Sequence, residues 1–282
     1  MAFDLAAIAT ARDRFLSPIG TRPVIMGIVN VTPDSFSDGG LFATRAAALA
    51  QAQKLVADGA DIVDVGAEST RPGHTPLTAE EEWSRLEPLL AALVAEAGAP
   101  VSIDTYKAET ARRALSLGVC LVNDVWGLQR DPLMAPTIAD AGAAVVIMHN
   151  RETTDPGIDI VADIERFLAC SLEIARRAGI PERHILLDPG IGFGKSREQN
   201  YEALRAVPKL LALGFPLLIG VSRKSLFKGL GDGGVLEGRL VGTLAADLLA
   251  ARDGAQVFRV HDAAEHRAAF EVLRILSPRP GG

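Results

Sequence analysis

Three polar residues that could hold the N–H edge of a flat heterocycle each follow a run of apolar residues. Asp104, Asn123 and Asp188 end the runs VSID, LVN and ILLD. An ionisable group among buried apolar residues costs free energy unless it has a partner. Two carboxylates and a carboxamide suit a ring with several N–H donors, such as an amino-pyrimidinone. Alternatively, Asp104 and Asp188 cap the following helices, or Asp188 begins a turn with Pro189 and Gly190.

A second group of residues is basic and suits an anion. Its members, in the segments GVSRKS and VFRVHD, are Arg223, Lys224, Arg259 and His261. Because residues two apart on a strand face the same side, Arg259 and His261 can serve one ligand, with the planar guanidinium stacked on a ring. Ser222 and Ser225 are expected to begin the next helix, whose free N–H groups favour an anion. A surface arginine and a packed histidine are the alternative interpretation.

Two other strand ends carry possible ligand groups. Asn30 offers a neutral oxygen that would suit Mg²⁺, which takes one or two protein oxygens together with substrate phosphates and waters. An asparagine before Val-Thr-Pro is also a common turn former. Met148 and His149 end another apolar run and either face a ligand or pack in the core. The glycine-rich segment GIGFGK (190–195) lacks the full G-x-G-x-x-G pattern of a dinucleotide site.

Eight apolar runs must position these residues, and they alternate with helical segments. The runs are 24–30, 62–68, 101–104, 121–124, 145–149, 185–188, 217–222 and 257–261. The helical segments are 45–58, 80–96, 108–117, 160–177, 198–213, 236–251 and 263–276. The runs are rich in Val, Ile and Leu with little alternation, which is typical of parallel strands buried on both faces. The pattern predicts a single TIM (β/α)8 barrel, whose strand ends meet at one face. An open doubly wound sheet is the alternative.

The length fits one domain with two unusual connections. The chain has 282 residues, of which 48% are apolar, and roughly 250 residues is the usual size of this barrel. Residues 1–20 are predicted to be an N-terminal extension, 21–276 the barrel and 277–282 a disordered tail. The segments 30–42 and 68–77, after the first two strands, are longer than typical connections. Long loops at this face are usually functional, so both are predicted to be active-site loops.

Composition excludes several classes of protein. No apolar run reaches the ~20 residues that cross a bilayer, and the N-terminus lacks the pattern of a secretory signal, so a cytoplasmic protein is expected. A net charge of −6 argues against a general nucleic-acid or anionic-membrane partner. Cys120 and Cys170 are too few for a disulfide framework, and both are expected to be reduced packing residues.

Seven segments, in order along nearly the whole chain, resemble the dihydropteroate synthase family of pterin-binding proteins. They are MGIVNVTPDSFSDGG (26–40), DIVDVGAESTRPG (61–73), VSIDT (101–105), VND (122–124), LLDPGIGFGK (186–195), GVSRKS (220–225) and RVHD (259–262). The resemblance implies a barrel that joins 6-hydroxymethyl-7,8-dihydropterin diphosphate to 4-aminobenzoate, with Mg²⁺, and releases pyrophosphate. The product would be 7,8-dihydropteroate, on the route to folate. The resemblance also implies a homodimer, formed through the later helices.

The resemblance also implies four overlapping sets of site residues. The pterin set is Asp104, Asn123, Met148, Asp188, Phe193, Lys224 and Arg259. The aminobenzoate set is Phe36, Thr70, Arg71, Pro72 and Ser225. The diphosphate set is Asn30, Thr70, Arg259 and His261, and Asn30 is also the metal ligand. The catalytic set is Asp38, Lys224, Arg259 and His261. In that set, Asp38 would stabilise the positive charge left on the pterin methylene when pyrophosphate departs.

Two other functions share this pattern. A pterin-binding methyltransferase domain has a similar barrel, but it would not need the segments TPDSFSDGG and SRK that are present here. A catalytically silent paralogue that binds pterin is the second alternative, and the intact catalytic set argues against it. The amine of aminobenzoate is already a neutral nucleophile at about pH 7, so no strong general base is required. This agrees with a sequence that shows no Ser-His-Asp arrangement.

Overall fold

The structure, a computed structural model, describes residues 2–31, 40–68, 76–227 and 235–277. In these residues eight strands alternate with helices. The strands are β1 Val24–Asn30, β2 Ile62–Gly66, β3 Val101–Asp104, β4 Leu121–Asp124, β5 Ala144–Met148, β6 Ile185–Asp188, β7 Leu218–Ile219 and β8 Val257–Val260. The helices are α1 Leu5–Leu16, α2 Gly40–Ala57, α3 Ala79–Glu96, α4 Ala108–Ser116, α5 Met134–Ala141, α6 Ile160–Ala178, α7 Arg197–Arg205, α8 Val207–Leu211, α9 Val235–Arg252 and α10 Ala263–Leu276.

The eight strands are parallel and form a closed barrel. The sheet runs in the order β6-β5-β4-β3-β2-β1-β8-β7. Its two ends meet through a parallel bridge between Leu187 and Leu217, next to which the N–H of Leu187 donates to the carbonyl oxygen of Pro216 over 2.9 Å. Because these ends meet, the predicted TIM barrel is confirmed and the open doubly wound sheet is excluded.

The alternation of side chains along each strand decides what reaches the barrel interior. A Cβ added at Gly27 of β1 would lie 3.2 Å from Leu55, so that side of β1 faces the surrounding helices. A Cβ added at Gly66 of β2 would lie 3.3 Å from Cβ of Asp104, so Gly66 faces the interior. Asp64, two residues earlier on β2, therefore faces the interior as well. This parity brings a buried carboxylate under the mouth of the barrel.

The N-terminal segment covers the opposite end of the barrel from the mouth. Asp4 caps α1, and Ile8 and Phe15 on this helix are fully buried. Arg12 donates to the carbonyl oxygen of Gly142, before β5, and Arg14 donates to that of Gly98, before β3. Both glycines lie at the amino ends of strands, so α1 packs under the barrel and leaves its mouth open.

Several predicted boundaries were wrong, each for a local reason. The predicted strands 62–68 and 217–222 are shorter, ending at Gly66 and Ile219. The predicted helix 198–213 is two helices, because Pro208 has no N–H to continue the first one. The helix α5 was not predicted. Pro136 lies in its first turn, where N–H groups have no partner within the helix and proline is therefore tolerated.

Two predictions from composition can be compared with the structure. In the part of the chain that the structure describes, no helix is long and apolar enough to cross a membrane. Cys120 is buried, as expected for a packing residue, but Cys170 is exposed on α6, so its predicted packing role was wrong. The error arose because a helical pattern alone does not fix which face of α6 meets the barrel.

Candidate active site

An arginine and two carboxylates form the centre of the barrel mouth. Arg259 Nε donates to Asp64 Oδ2 over 2.6 Å, and Arg259 Nη2 donates to Asp104 Oδ2 over 2.7 Å. Asp64 comes from β2, Asp104 from β3 and Arg259 from β8. Ion pairs with Arg259 therefore connect strands from the two halves of the chain. The planar guanidinium bonds through its edge, which leaves its faces for stacking.

Asp64 is a site residue that the sequence analysis missed. Its side chain is fully buried, and its Oδ2 also accepts a hydrogen bond from Asn123 Nδ2 over 3.1 Å. Within the described residues, Asp64 Oδ1 and Asn123 Oδ1 are buried without a hydrogen-bond partner. A carboxylate in the middle of the apolar run IVDVG was the signal, because burying it without a partner is costly.

The surroundings of Asp104 raise the pKa of its carboxyl group. Burial raises the pKa of Asp104 to about 7, the charge of Arg259 opposes this rise, and the charge of Asp64 adds to it. Burial tends to lower the pKa of Arg259, but the charges of Asp64 and Asp104 outweigh it, so the pKa is raised. Arg259 therefore stays a cation, and Asp104 titrates in the range where its protonation can control ligand binding.

A third carboxylate and a second cation lie on the other side of the mouth. Burial raises the pKa of Asp188, although its Oδ1 accepts the N–H of Gly190 over 2.7 Å and Lys224 is nearby. Burial lowers the pKa of Lys224 to about 8. Lys224 Nζ donates to the carbonyl oxygen of Ile191 and lies 4.6 Å from the ring centroid of Phe193.

A hydrogen-bonded network around Lys195 and His149 holds the loop after β6 in place. Lys195 Nζ is buried and lies 2.7 Å from His149 Nδ1, 2.7 Å from the carbonyl oxygen of Gly190 and 3.1 Å from that of Phe193. His149 Nε2 lies 3.2 Å from Asp163 Oδ2. Burial lowers the pKa of His149 to about 3 and that of Lys195 to about 7. His149 is thus a packed, neutral residue, and Lys195 was missed by the sequence analysis.

The expectation that Ser222 and Ser225 begin the next helix was wrong. Ser225 begins a short 3-10 turn, Ser225–Phe227, and α9 begins only at Val235. Ser222 instead contacts His261, with its Oγ 2.9 Å from Nδ1. Arg223, expected among the anion-binding cations, has a positive φ of 57° and pairs with Asp262 at the surface.

A buried ion cluster joins the two ends of the connection between β2 and α3. Lys107 Nζ lies 2.5 Å from Glu68 Oε2 and 3.3 Å from Glu82 Oε2. Glu68 also accepts the hydroxyl of Tyr106 over 2.8 Å and the N–H of Leu77 over 3.2 Å. Glu68 and Leu77 flank the predicted second loop, so this cluster fixes where that loop leaves and re-enters the barrel.

The remaining predicted residues divide into two groups. Asn30 is exposed at the end of β1, Met148 is buried beside Asp188 in the register of β5 and β6, and Ser225 is exposed. The second group lies outside the described residues and comprises Phe36, Asp38, Thr70, Arg71 and Pro72. The structure therefore brings together the predicted pterin set and leaves most of the predicted aminobenzoate set undescribed.

The assembled mouth has the chemistry of a site for a flat, hydrogen-bonding ring. Carboxylate and amide oxygens supply acceptors, the guanidinium supplies a stacking face, and Gly220 adds no side chain between Asp188 and Arg259, each 3.9 Å from the position of a Cβ there. Among the described residues, no group of three or more His, Cys, Asp or Glu side chains could hold a metal by itself. A cation bound here would need ligand oxygens from its substrate.

Comparisons with known proteins agree with this site. The sequence profile of the family described as "Pterin binding enzyme" matches residues 26–261. A dihydropteroate synthase of Clostridium beijerinckii is 43% identical over 262 residues, which cover 93% of this chain and 97% of the relative. A Clostridium difficile dihydropteroate synthase structure, obtained with pteroic acid, has a TM-score of 0.88 and 46% identity, and covers 93% of this chain and 99% of its own. A Xanthomonas albilineans dihydropteroate synthase structure with 4-aminobenzoic acid has a TM-score of 0.86 and 44% identity, covering 92% and 94%.

Proposed function

The chain belongs to the pterin binding enzymes and, among them, to the dihydropteroate synthase family, and from that premise we propose how its residues carry the reaction. The enzyme joins 6-hydroxymethyl-7,8-dihydropterin diphosphate to 4-aminobenzoate in folate biosynthesis. The observation that carries the assignment of roles is the bracketing of Arg259 by Asp64 and Asp104 at the barrel mouth. The homologues show the activity, whereas the roles of individual residues in this chain are our proposal.

The pterin ring is bound by acceptors at its edge and by Arg259 on one face. Asp104, Asn123 and Asp188 accept hydrogen bonds from the ring's N–H groups, and Arg259 stacks on one ring face while its own edge stays bound to carboxylates. The buried, unpartnered oxygens of Asp64 and Asn123 support this arrangement, because buried acceptors normally have a donor. Phe193 and Met148 supply apolar walls beside the ring.

The reaction replaces a carbon–oxygen bond by a carbon–nitrogen bond at the pterin methylene. Both electrons of the carbon–oxygen bond leave with pyrophosphate, and the amine lone pair of aminobenzoate forms the new bond before the amine loses a proton. Positive charge develops on the pterin as the leaving group departs, so nearby carboxylates stabilise the transition state. Asp104 and Asp188 provide two such charges, and Asp38, outside the described residues, is proposed to provide a third.

The departing pyrophosphate meets a different set of groups at the rim. His261 and Arg259 donate hydrogen bonds to it. Asn30 is proposed to bind Mg²⁺ together with the diphosphate, because its exposed amide oxygen is the kind of single protein ligand that Mg²⁺ takes when phosphate oxygens and waters complete its shell. When bound, Mg²⁺ would neutralise charge on the leaving diphosphate. The aminobenzoate pocket is proposed to involve Ser225 together with Phe36, Thr70, Arg71 and Pro72.

Pyrophosphate release tests this proposal. The purified chain is incubated with the dihydropterin diphosphate, with and without 4-aminobenzoate and with and without Mg²⁺, and dihydropteroate is identified by mass spectrometry. Release that requires both additions supports the proposed roles, and Asn30→Ala should then raise the Mg²⁺ concentration needed for half-maximal rate. Tight pterin binding without turnover would indicate the silent paralogue, and methyl transfer to a corrinoid protein would indicate the methyltransferase domain.

We also propose a homodimer formed through α9 and α10. In the described residues seven large apolar side chains are exposed, and five of them lie on these neighbouring helices: Val241, Leu249, Val272, Ile275 and Leu276. Such a concentration of exposed apolar side chains often marks an interface. Light scattering after size-exclusion chromatography should give twice the chain mass for the wild type and one chain mass for Val272→Asp. A monomeric wild type would contradict the dimer. Cytoplasmic location and the absence of nucleic-acid partners stay predictions of the sequence.

A further inference from the structure

The turn after β7 contains a residue in a strained backbone conformation. The N–H of Lys224 donates to the carbonyl oxygen of Val221 over 3.1 Å, which closes a four-residue turn. Arg223, the third residue of this turn, has a φ of 57°, in the left-handed region that usually requires glycine. Among the described residues other than glycine, only Leu128 shares a positive φ. Such strain persists only where surrounding contacts hold it.

Thr243 on α9 holds the backbone of this turn. The N–H of Arg223 donates to Thr243 Oγ1 over 3.2 Å, and Thr243 is fully buried. The hydroxyl hydrogen of Thr243 has its own acceptor, because Oγ1 donates to the carbonyl oxygen of Arg239, one helical turn earlier, over 2.7 Å. The oxygen therefore serves Arg223 as an acceptor. The helix α9 thus supplies a fixed partner for the strained residue.

Asp262 holds the other end of Arg223, its side chain. Arg223 Nε donates to Asp262 Oδ2 over 3.0 Å and Arg223 Nη2 donates to Oδ1, so the ion pair is bidentate. The side chain of Asp262 is only 12% exposed. The carbonyl oxygen of Asp262 lies 2.6 Å from His266 Nδ1 on α10, which fixes the backbone at this point. Arg223 is therefore bound at both ends by separate elements of the fold.

The conformation of Arg223 decides where the next residue lies. The dihedral angles of a residue set the direction of the chain that follows it. Arg223 is exposed, whereas Lys224 Nζ donates to the carbonyl oxygen of Ile191 and lies 4.6 Å from the ring centroid of Phe193. The left-handed residue thus leaves one cation at the surface and directs the next one into the barrel mouth.

We propose that Thr243 and Asp262 are positioning residues that hold Arg223 in the left-handed conformation and so place the ammonium group of Lys224 in the barrel mouth. Both act through the turn. The binding of pterin by Lys224 rests on the proposed function, whereas the placement of its ammonium group does not.

The titration of Lys224 reports this placement without any substrate. The full chain is produced with lysine that carries ¹³C at its ε carbon, and Lys224→Met assigns the Lys224 signal by its loss. Burial lowers the pKa of Lys224 to about 8, so the wild-type signal should titrate near that pH. In Thr243→Val and in Asp262→Asn the midpoint should move toward the ordinary value of 10.5, whereas Thr243→Ser should keep the wild-type midpoint. An unchanged midpoint in the folded Thr243→Val and Asp262→Asn variants would overturn the proposal.

Thr10→Val on α1 is the matched control. Thr10 Oγ1 also donates to the carbonyl oxygen four residues earlier, that of Ala6, but α1 lies at the opposite end of the barrel. This control should leave both the Lys224 midpoint and turnover unchanged. Circular dichroism and the melting temperature verify that each variant folds.

Two substitutions of Arg223 test the strain itself. Arg223→Gly and Arg223→Ala both remove the ion pair with Asp262, but glycine adopts a positive φ freely and alanine does not. We therefore expect kcat/KM for the dihydropterin diphosphate to be about fivefold lower in Arg223→Ala than in Arg223→Gly. Equal values, or a lower value for Arg223→Gly, would contradict the left-handed requirement.

Turnover of the Thr243 variants completes the test. Thr243→Val should lower kcat/KM for the dihydropterin diphosphate about threefold to tenfold, as expected for one lost hydrogen bond, and Thr243→Ser should stay near the wild type. A wild type without turnover that still shows the expected shifts of the Lys224 midpoint would refute the proposed function and support the placement of Lys224. Normal turnover in Thr243→Val would overturn the positioning role.

Discussion

The substitution Asp64→Asn tests the electrostatic centre of the barrel mouth. It keeps the shape of the side chain and removes one of the two carboxylates that hold Arg259. An asparagine oxygen can still accept from the Arg259 guanidinium, but the acceptor loses its charge, and we expect this to weaken the bond by about 1–2 kcal/mol, the amount by which hydrogen bonds to charged groups exceed neutral ones. The loss of about 1–2 kcal/mol predicts pterin binding that is about 5- to 30-fold weaker, if Arg259 must be held in place to stack.

The same substitution should change the pH dependence of pterin binding. Burial raises the pKa of Asp104 to about 7, and the charge of Asp64 contributes to that rise. The ionised form of Asp104 accepts the ring's N–H groups, so affinity should increase as the pH rises through about 7 in the wild type. Without the charge of Asp64, Asp104 ionises more easily, and the midpoint of this increase should move to lower pH.

Calorimetric titration with the dihydropterin diphosphate, without aminobenzoate and over a range of pH, measures both effects. Asp13→Asn is the matched control, because this carboxylate pairs with Arg12 at the opposite end of the barrel. The control should bind like the wild type at every pH. An unchanged affinity for Asp64→Asn, or a midpoint that moves to higher pH, would refute the electrostatic role of Asp64.

Three further predictions concern groups outside the ring contacts. Lys195→Met should raise KM for the dihydropterin diphosphate in steady-state assays and leave KM for aminobenzoate unchanged, because Lys195 holds the loop that carries Phe193, which is proposed to contact the pterin and not the aminobenzoate; equal changes in both would contradict this. His266→Ala leaves Asp247 buried without its partner, which should cost about 3–5 kcal/mol of unfolding free energy and lower the melting temperature. In the wild type, burial tends to lower the pKa of His266, but Asp247 outweighs this effect and the net pKa is raised. The stabilisation by protonated His266 is therefore complete below the ordinary pKa of 6.5 and is lost as the pH rises through the raised value. Urea unfolding at several pH values measures this loss. A thiol reagent should modify Cys170 in the native protein and leave Cys120 unmodified until unfolding, because burial raises the pKa of Cys120 to about 12; mass spectrometry distinguishes the two sites.

Local sequence patterns predicted the barrel because the apolar pattern of each strand and helix reflects which of its residues are buried. The runs that became β3, β4 and β6 were predicted with the bounds that the structure has. The same patterns could not show where a strand stops pairing. β7 keeps only two residues in the ladder, since its length depends on its partners and not on the apolar run that contains it.

The sequence could not predict the whole site, because the contacts of the site join residues that are far apart in the sequence. Asp104 and Arg259 were both predicted, but the ion pair between them joins residues 155 positions apart. Asp64 was missed because its partner, Arg259, lies 195 positions away. Ser222 was assigned to a helix start because a serine after a strand is a common cap, whereas the structure uses it to hold His261. Local patterns therefore identified the residues and not how they are paired.

The pairing of charges at the mouth explains why the two halves of the substrate need different groups. Arg259 is bound by two carboxylates, and Lys224 lies near Asp188 and Asp104. In the described residues of the mouth, these cations are therefore already balanced by carboxylates, which favours N–H donors and a developing cation on the ring. Because their charge is balanced in this way, the hydrogen bond that Arg259 is proposed to donate does not by itself neutralise a diphosphate. We therefore propose that the leaving group is also met at the rim, by His261 and by Mg²⁺ bound at Asn30.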